Sequence, residues 1–141
     1  MIAYFDTSAV VPLIIDEPST DLCNRLWNES SRVVSVRLLY PQARAALAKA
    51  ERMGRLSASQ LAAAVVELES IISEVDQIEA TEALAREAGE LAQTHSLRGY
   101  DAVHLAAASA VTDTDVVLVT GHSELANAAN SIGVAVSITN M

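Results

Sequence analysis

Cysteine occurs once in the 141 residues, as Cys23. A lone cysteine excludes an internal disulfide framework and a cysteine-based zinc site, and it suits a reducing compartment. Aromatic residues are only 4%, whereas alanine occurs 25 times. That composition belongs to closely packed helices rather than to a β-sandwich. No stretch approaches the roughly 18 uninterrupted apolar residues that a membrane helix needs. The opening Met1-Ile2-Ala3-Tyr4-Phe5-Asp6 lacks the basic and apolar regions of a signal peptide, so the expectation is a soluble, cytoplasmic protein with no membrane partner. Glycine-rich phosphate loops (GxGxxG or GxxxxGKS/T) and the GxSxG elbow of serine hydrolases are absent. A phospho-acceptor receiver domain needs a lysine late in the chain, and the only lysine is Lys49.

What is present is apolar material. With 51% hydrophobic residues over this length, the chain suits one domain, 1–141, with a real core, and intrinsic disorder is excluded. There is no low-complexity linker and no internal repeat. Charge is uneven. Residues 1–65 hold seven Arg/Lys against six Asp/Glu, while residues 66–141 hold two against twelve. An acidic chain is a poor generic binder of nucleic acid, because phosphate binding draws on Lys and Arg. Action on a polyanion must therefore be local, through Arg37, Arg44, Lys49, Arg52 and Arg55 or through a metal or a partner. The acidic run from Glu67 to Glu90 reads as a solvated face.

Short β-branched runs alternate with longer amphipathic ones. Residues 2–5, 33–36, 116–119 and 134–138 read as buried strands of a parallel sheet. Helical spacing covers about 20–29, 38–53, 79–94, 102–111 and 123–131. Another helix runs from Ser57, whose partner Gln60 completes a capping box, through Leu61, Val65, Leu68 and Ile72. Gly54 suits the position after a helix end. The alternation predicts an α/β fold, a three-layer α/β/α sandwich with right-handed crossovers, from which the helical hairpin 38–73 projects. Pro41 falls inside a helix that Ser35 would cap, which predicts either a start near Tyr40 or a kink.

Ligands of open α/β sheets bind beyond the carboxyl ends of the strands. Asp6 ends the first run and precedes Thr7 and Ser8, which can cap the next helix; Asp6 itself also suits that cap. Asp101 opens an almost wholly apolar helical segment, where a cap is an equally good reading. Thr120 ends the late strand, before Gly121 and His122. His104, three residues after Asp101, lacks the spacing of a helical zinc pair and reads as packing against its helix neighbours. Two acids on different elements, with no cysteine and few histidines, suit a hard oxygen-preferring ion, Mg²⁺ or Mn²⁺. Phosphodiester hydrolysis is the reaction class that matches.

The segments Met1-Ile2 with Tyr4 and Asp6-Thr7-Ser8-Ala9-Val10-Val11, then Ala43-Arg44-Ala45-Ala46-Leu47-Ala48, then Leu97-Arg98-Gly99-Tyr100-Asp101-Ala102-Val103-His104-Leu105-Ala106, and finally Val119-Thr120 with Leu125-Ala126, resemble PIN-domain proteins of the VapC toxin type. The resemblance runs over essentially the whole chain. It implies a PIN-like sandwich and a Mg²⁺- or Mn²⁺-dependent endoribonuclease acting on tRNA or rRNA. It further implies a homodimer restrained by a VapB-type antitoxin. By position Asp6 and Asp101 match the metal-binding acids, Thr7 and Ser8 the hydroxyls beside the first acid, and Thr120 the late threonine. Arg44, Lys49 and Arg52 are candidate RNA contacts.

The family pattern has two further acids. Here Gln42 stands where it has Glu, and His122 stands where it has Asp. Both can ligate a divalent ion, but neither adds negative charge, so weaker Mg²⁺ binding and a tilt toward Mn²⁺ are expected. Glu124 is a possible substitute. The alternatives are a PIN-like protein that has lost catalysis and acts by binding RNA or an antitoxin, and, more remotely, a small-molecule phosphatase.

Overall fold

A computed structural model describes residues 1–111 and 115–140. Strands Ile2–Phe5 (β1), Arg32–Val36 (β2), Asp76–Ile78 (β3), Val116–Thr120 (β4) and Ala135–Ile138 (β5) pair in parallel, in the order β3-β2-β1-β4-β5. Thr7–Val10 (α1) and a 3₁₀ turn at Val11–Leu13 follow β1. Thr20–Glu29 (α2), Leu39–Arg52 (α3), Ala58–Glu74 (α4), Glu82–His95 (α5), Gly99–Ser109 (α6) and Ser123–Ser131 (α7) complete the chain.

Alternation along the strands divides the core between the two faces. Ala3, Phe5, Val33 and Val119 pack with Cys23, Leu39, Leu47 and Leu68 from α2, α3 and α4. Tyr4, Val34, Val36 and Leu118 pack with Leu84, Leu105 and Leu125 from α5, α6 and α7. Residues on both faces are therefore apolar, which is why the strands read as continuous runs. Burying side chains such as Phe5 or Leu105 stabilises by roughly 2–3 kcal/mol each. This is the predicted three-layer sandwich. Among the described residues no helix is long and apolar enough to cross a membrane.

The sequence missed β3. Asp76-Gln77-Ile78 is three residues at the sheet edge with a partly exposed pattern, so it carries no apolar run to detect. The hairpin α3–α4 also departs from expectation. Leu39, Ala43, Leu47, Ala64 and Leu68 are buried in the same cluster as Ala3 and Phe5, so the pair covers one face of the sheet rather than projecting from it.

Local signals held where the backbone alone decides. Ser57 and Gln60 form both halves of a capping box. Gly54 follows the end of α3 with φ +81°, the left-handed conformation that favours glycine. The Pro41 conflict resolves without a kink, because α3 begins at Leu39 and Pro41 occupies its first turn, where a backbone donor has no intrahelical partner. Ser35 does not cap that helix. It lies in β2 and donates to the Phe5 carbonyl at 2.7 Å.

Chain order places β1 at the centre. The chain runs outward through β2 and β3, then crosses back to β4 beside β1. The reversal opens a crevice at the carboxyl ends of β1 and β4, the usual ligand position in such sheets.

Candidate active site

Asp6 leaves β1 in an extended conformation and caps α1, accepting the Ala9 N–H at 3.1 Å through Oδ1. Of the three candidate caps, Asp6 takes the role, and Thr7 and Ser8 do not. Ser8 instead donates to Asp6 Oδ1 at 2.6 Å, and Thr120 donates to Oδ2 at 2.5 Å. These hydroxyls also bind the β4 end: Ser8 Oγ accepts the Gly121 N–H at 2.8 Å and Thr120 Oγ1 accepts the His122 N–H at 3.0 Å. A β-carbon on Gly121 would sit 3.3 Å from Thr139 Oγ1 and 3.4 Å from Ser8 Oγ, so only glycine fits this stitched junction comfortably. Asp6 is 1% exposed, and three donors replace the water it has lost.

Asp101 enters from the first turn of α6. Its Oδ1 lies 3.1 Å from His122 Nδ1, the imidazole being half exposed. That hydrogen bond, with the charges of Asp101 and Asp6, raises the His122 pKa; partial burial and Arg98 oppose the shift. His122 is also the residue before α7, whose backbone start makes no side-chain cap.

His104 corrects the sequence reading most. It does not merely pack against its own helix. It is 2% exposed, with Nδ1 2.8 Å from the Tyr4 hydroxyl and Nε2 2.7 Å from Gln42 Oε1. Burial pushes its pKa below the ordinary value, so the ring is neutral and has one N–H. Gln42 Oε1 can only accept, which assigns that hydrogen to Nε2 and leaves Nδ1 to accept from Tyr4. Burial pushes the Tyr4 phenol up, keeping its proton available. Thr7 also donates to Gln42 Oε1, at 2.6 Å. The Gln42 carbonyl oxygen thus has both lone pairs engaged. Gln42 Nε2 is the one buried side-chain polar atom without a partner among the described residues.

Asp6, Thr7, Gln42, Asp101, His104 and His122 line one cavity of about 290 Å³. Two acids 95 residues apart in the sequence therefore line the same cavity. Glu124 lines a neighbouring cavity and not this one. Thr120 is fully buried with its hydroxyl engaged on both sides. Among the described residues no group of three or more His, Cys, Asp or Glu is placed to hold a metal. Asp6 Oδ2 accepts one hydrogen bond and Asp101 Oδ2 none among the described residues. Two carboxylates with free lone pairs fit Mg²⁺, which commonly takes one or two carboxylates and completes its shell with water and substrate phosphate.

The candidate RNA contacts lie on α3. Arg44 lies over the Tyr40 ring at 5.8 Å and donates to its hydroxyl, while Arg37 and Arg55 are paired with Glu79 and Glu17. Lys49 and Arg52 are exposed in the last turn of α3.

Known proteins are similar to this chain over most of its length. A family model for the PIN domain matches residues 3–130. Ribonuclease VapC45 and Ribonuclease VapC49, from Mycobacterium tuberculosis strains CDC 1551 / Oshkosh and ATCC 25618 / H37Rv, are each 40% identical to this chain over 136 residues. Those matches cover 96% of this chain and 94% of each relative. In fold, the chain is similar to the crystal structure of VapBC2 from Rickettsia felis bound to a DNA fragment from their promoter. The TM-score there is 0.65, at 16% identity and 98% coverage of both chains. The chain belongs to the PIN-domain family, in its VapC branch.

Proposed function

We propose that this chain is the toxin of a toxin–antitoxin pair, an endoribonuclease that hydrolyses RNA phosphodiester bonds with a divalent cation held by Asp6 and Asp101. The observation that carries the reading is the meeting of these two acids on one cavity, in a chain 40% identical to proteins named ribonucleases. Those names weigh against a role in binding alone. Mg²⁺ or Mn²⁺, when bound, supplies a water of lowered pKa and offsets charge on the transferring phosphate.

The chain's own residues divide the remaining work. Ser8 and Thr120 are positioning residues that hold Asp6 rigid; with its hydroxyl fully engaged, Thr120 acts through that acid and does not touch substrate. Thr7 spends its hydrogen on Gln42 and offers only lone pairs to the cavity. Gln42 is not a metal ligand, since its oxygen is taken by Thr7 and His104, and its Nε2 is buried without a partner among the described residues. His122 is drawn toward its charged form by Asp101, and in that form it offsets part of the negative field and weakens cation binding. Gln42, Ala45, Lys49 and Arg52 share a face of α3 by helical spacing, so the two cations continue from the cavity wall as a path for phosphates.

A VapB-type antitoxin is the proposed partner, its basic segment suited to residues 66–141 with their excess of ten acids. A homodimer through the exposed Val66 side of α4 is proposed as well. The reading is tested on a total tRNA preparation with Mg²⁺ and with Mn²⁺. Wild type is expected to fragment the RNA, and Asp6→Asn to be slower by about a hundredfold or more, equivalent to about 3 kcal/mol. Intact RNA with wild type in both metals, or equal cleavage by the variant, would sink it.

A further inference from the structure

Five aromatic residues occur in the chain. Tyr4, Phe5, Trp27 and Tyr40 are buried or half-buried, whereas Tyr100 is 65% exposed. It stands directly before Asp101 and lines both the acid cavity and a larger neighbouring one of about 500 Å³. Arg98, Tyr100, Asp101, His122, Glu124 and Asn140 line that second cavity. The two cavities share Tyr100, Asp101 and His122, so they form one continuous cleft.

The charge pattern singles out the same place. Residues 66–141 hold only two cations, Arg86 and Arg98. Arg86 is paired with Glu82 at 3.1 Å on the surface of α5. Arg98 is exposed and makes no ion pair among the described residues. Among the described residues, the acidic half of the chain thus keeps one guanidinium outside any ion pair, two residues from its one exposed aromatic ring, beside the acids. Asp101 and Glu124 in the same cavity make it a poor trap for a free anion. A ligand that brings an aromatic face together with its phosphate offsets that repulsion, because stacking of a base on an aromatic ring is favourable and tolerant of sequence.

We infer that the Arg98–Tyr100 cavity is a nucleotide subsite for single-stranded RNA flanking the scissile bond, with a base stacked on Tyr100 and an adjoining phosphate on Arg98. The inference rests on the ribonuclease reading for its ligand, but binding tests it separately from cleavage. The ring face acts and the hydroxyl does not. Asn140 lines the same cavity and supplies an amide of the kind that pairs with base edges.

The experiment is fluorescence anisotropy of a fluorescein-labelled, mixed-sequence 12-nucleotide RNA with the full chain, in EDTA and again with Ca²⁺. Tyr100→Ala is expected to lose about tenfold in affinity, and Tyr100→Phe to recover most of that loss. Arg98→Gln should lower the slope of log K against log salt by about 0.7, while Arg86→Gln leaves it unchanged. Circular dichroism melts confirm that these surface variants fold. The subsite is overturned by wild-type affinity in Tyr100→Ala, by Tyr100→Phe falling with it, or by Arg86→Gln matching Arg98→Gln. Absence of wild-type binding under both conditions overturns it too, as does loss in Tyr100→Ala of binding to a basic peptide with RNA binding intact. Binding as expected with no cleavage in Mg²⁺ or Mn²⁺ would instead remove the ribonuclease reading and leave the subsite standing.

Discussion

Asp6 and Asp101 reach one cavity from different elements, and the chain holds them in different ways. Asp6 is sealed at the junction of β1 and β4, with two hydroxyls and a backbone N–H on its oxygens. Asp101 stands on the open bank, where its one hydrogen-bond partner among the described residues is a half-exposed histidine on a different element. The histidines differ likewise. Buried His104 is driven neutral and joins a relay from Tyr4 to Gln42, while His122 is drawn toward its charged form by Asp101. One bank is built to fix geometry, and the other can exchange its partners for a cation, a phosphate or water.

Asp6→Ala should have the largest effect. It removes a buried cap and strands the Ser8 and Thr120 hydroxyls, so cleavage should vanish and thermal melting should show a loss of about 2–4 kcal/mol. Asp101→Ala should also abolish cleavage yet cost far less stability; equal destabilisation by the two variants would erase the contrast between the banks.

Next comes His104→Ala. It leaves the Tyr4 hydroxyl and the Gln42 oxygen without their shared partner, and about 2 kcal/mol of stability should be lost in denaturant melts. At Gln42 the contrast sharpens into a metal measurement. Gln42→Glu should tighten Mn²⁺ binding in calorimetry, whereas Gln42→Ala should leave it close to wild type. A clear loss in the alanine variant would mean that the carbonyl oxygen is a ligand after all.

The pH dependence separates the two histidines by sign. His104 has a folded pKa below its ordinary 6.5, so its contribution is present above that value and declines as pH falls through the lowered one. His122 has a raised folded pKa, so its contribution is present below 6.5 and is lost as pH rises through the raised value. In metal-free protein, NMR titration should show His122 titrating above 6.5 and His104 below it. Asp101→Asn should bring the His122 midpoint down by more than that of His104, because His122 loses a hydrogen bond as well as a charge and His104 only a charge. Smallest of all is Ser57→Ala, remote from both banks. It should cost about 1 kcal/mol through the α4 cap, with cleavage per folded molecule unaffected.

By itself the sequence determined what depends on neighbours a few residues away. Apolar runs marked four strands, Ser57 and Gln60 marked a helix start, Gly54 marked a helix end, and Asp6 and Asp101 stood out as acids beside apolar elements. Packing decided the rest. The edge strand β3 takes its conformation from pairing with β2 rather than from its own residues. His104 joins the site because Tyr4, 100 residues away, and Gln42, 62 away, converge on its two nitrogens. The orientation of the Gln42 amide and the pairing of His122 with Asp101 have the same origin. Periodicity reports which side of an element is buried, but a hydrogen bond's partner is set by which elements meet, and only the assembled sheet and its helices settle that.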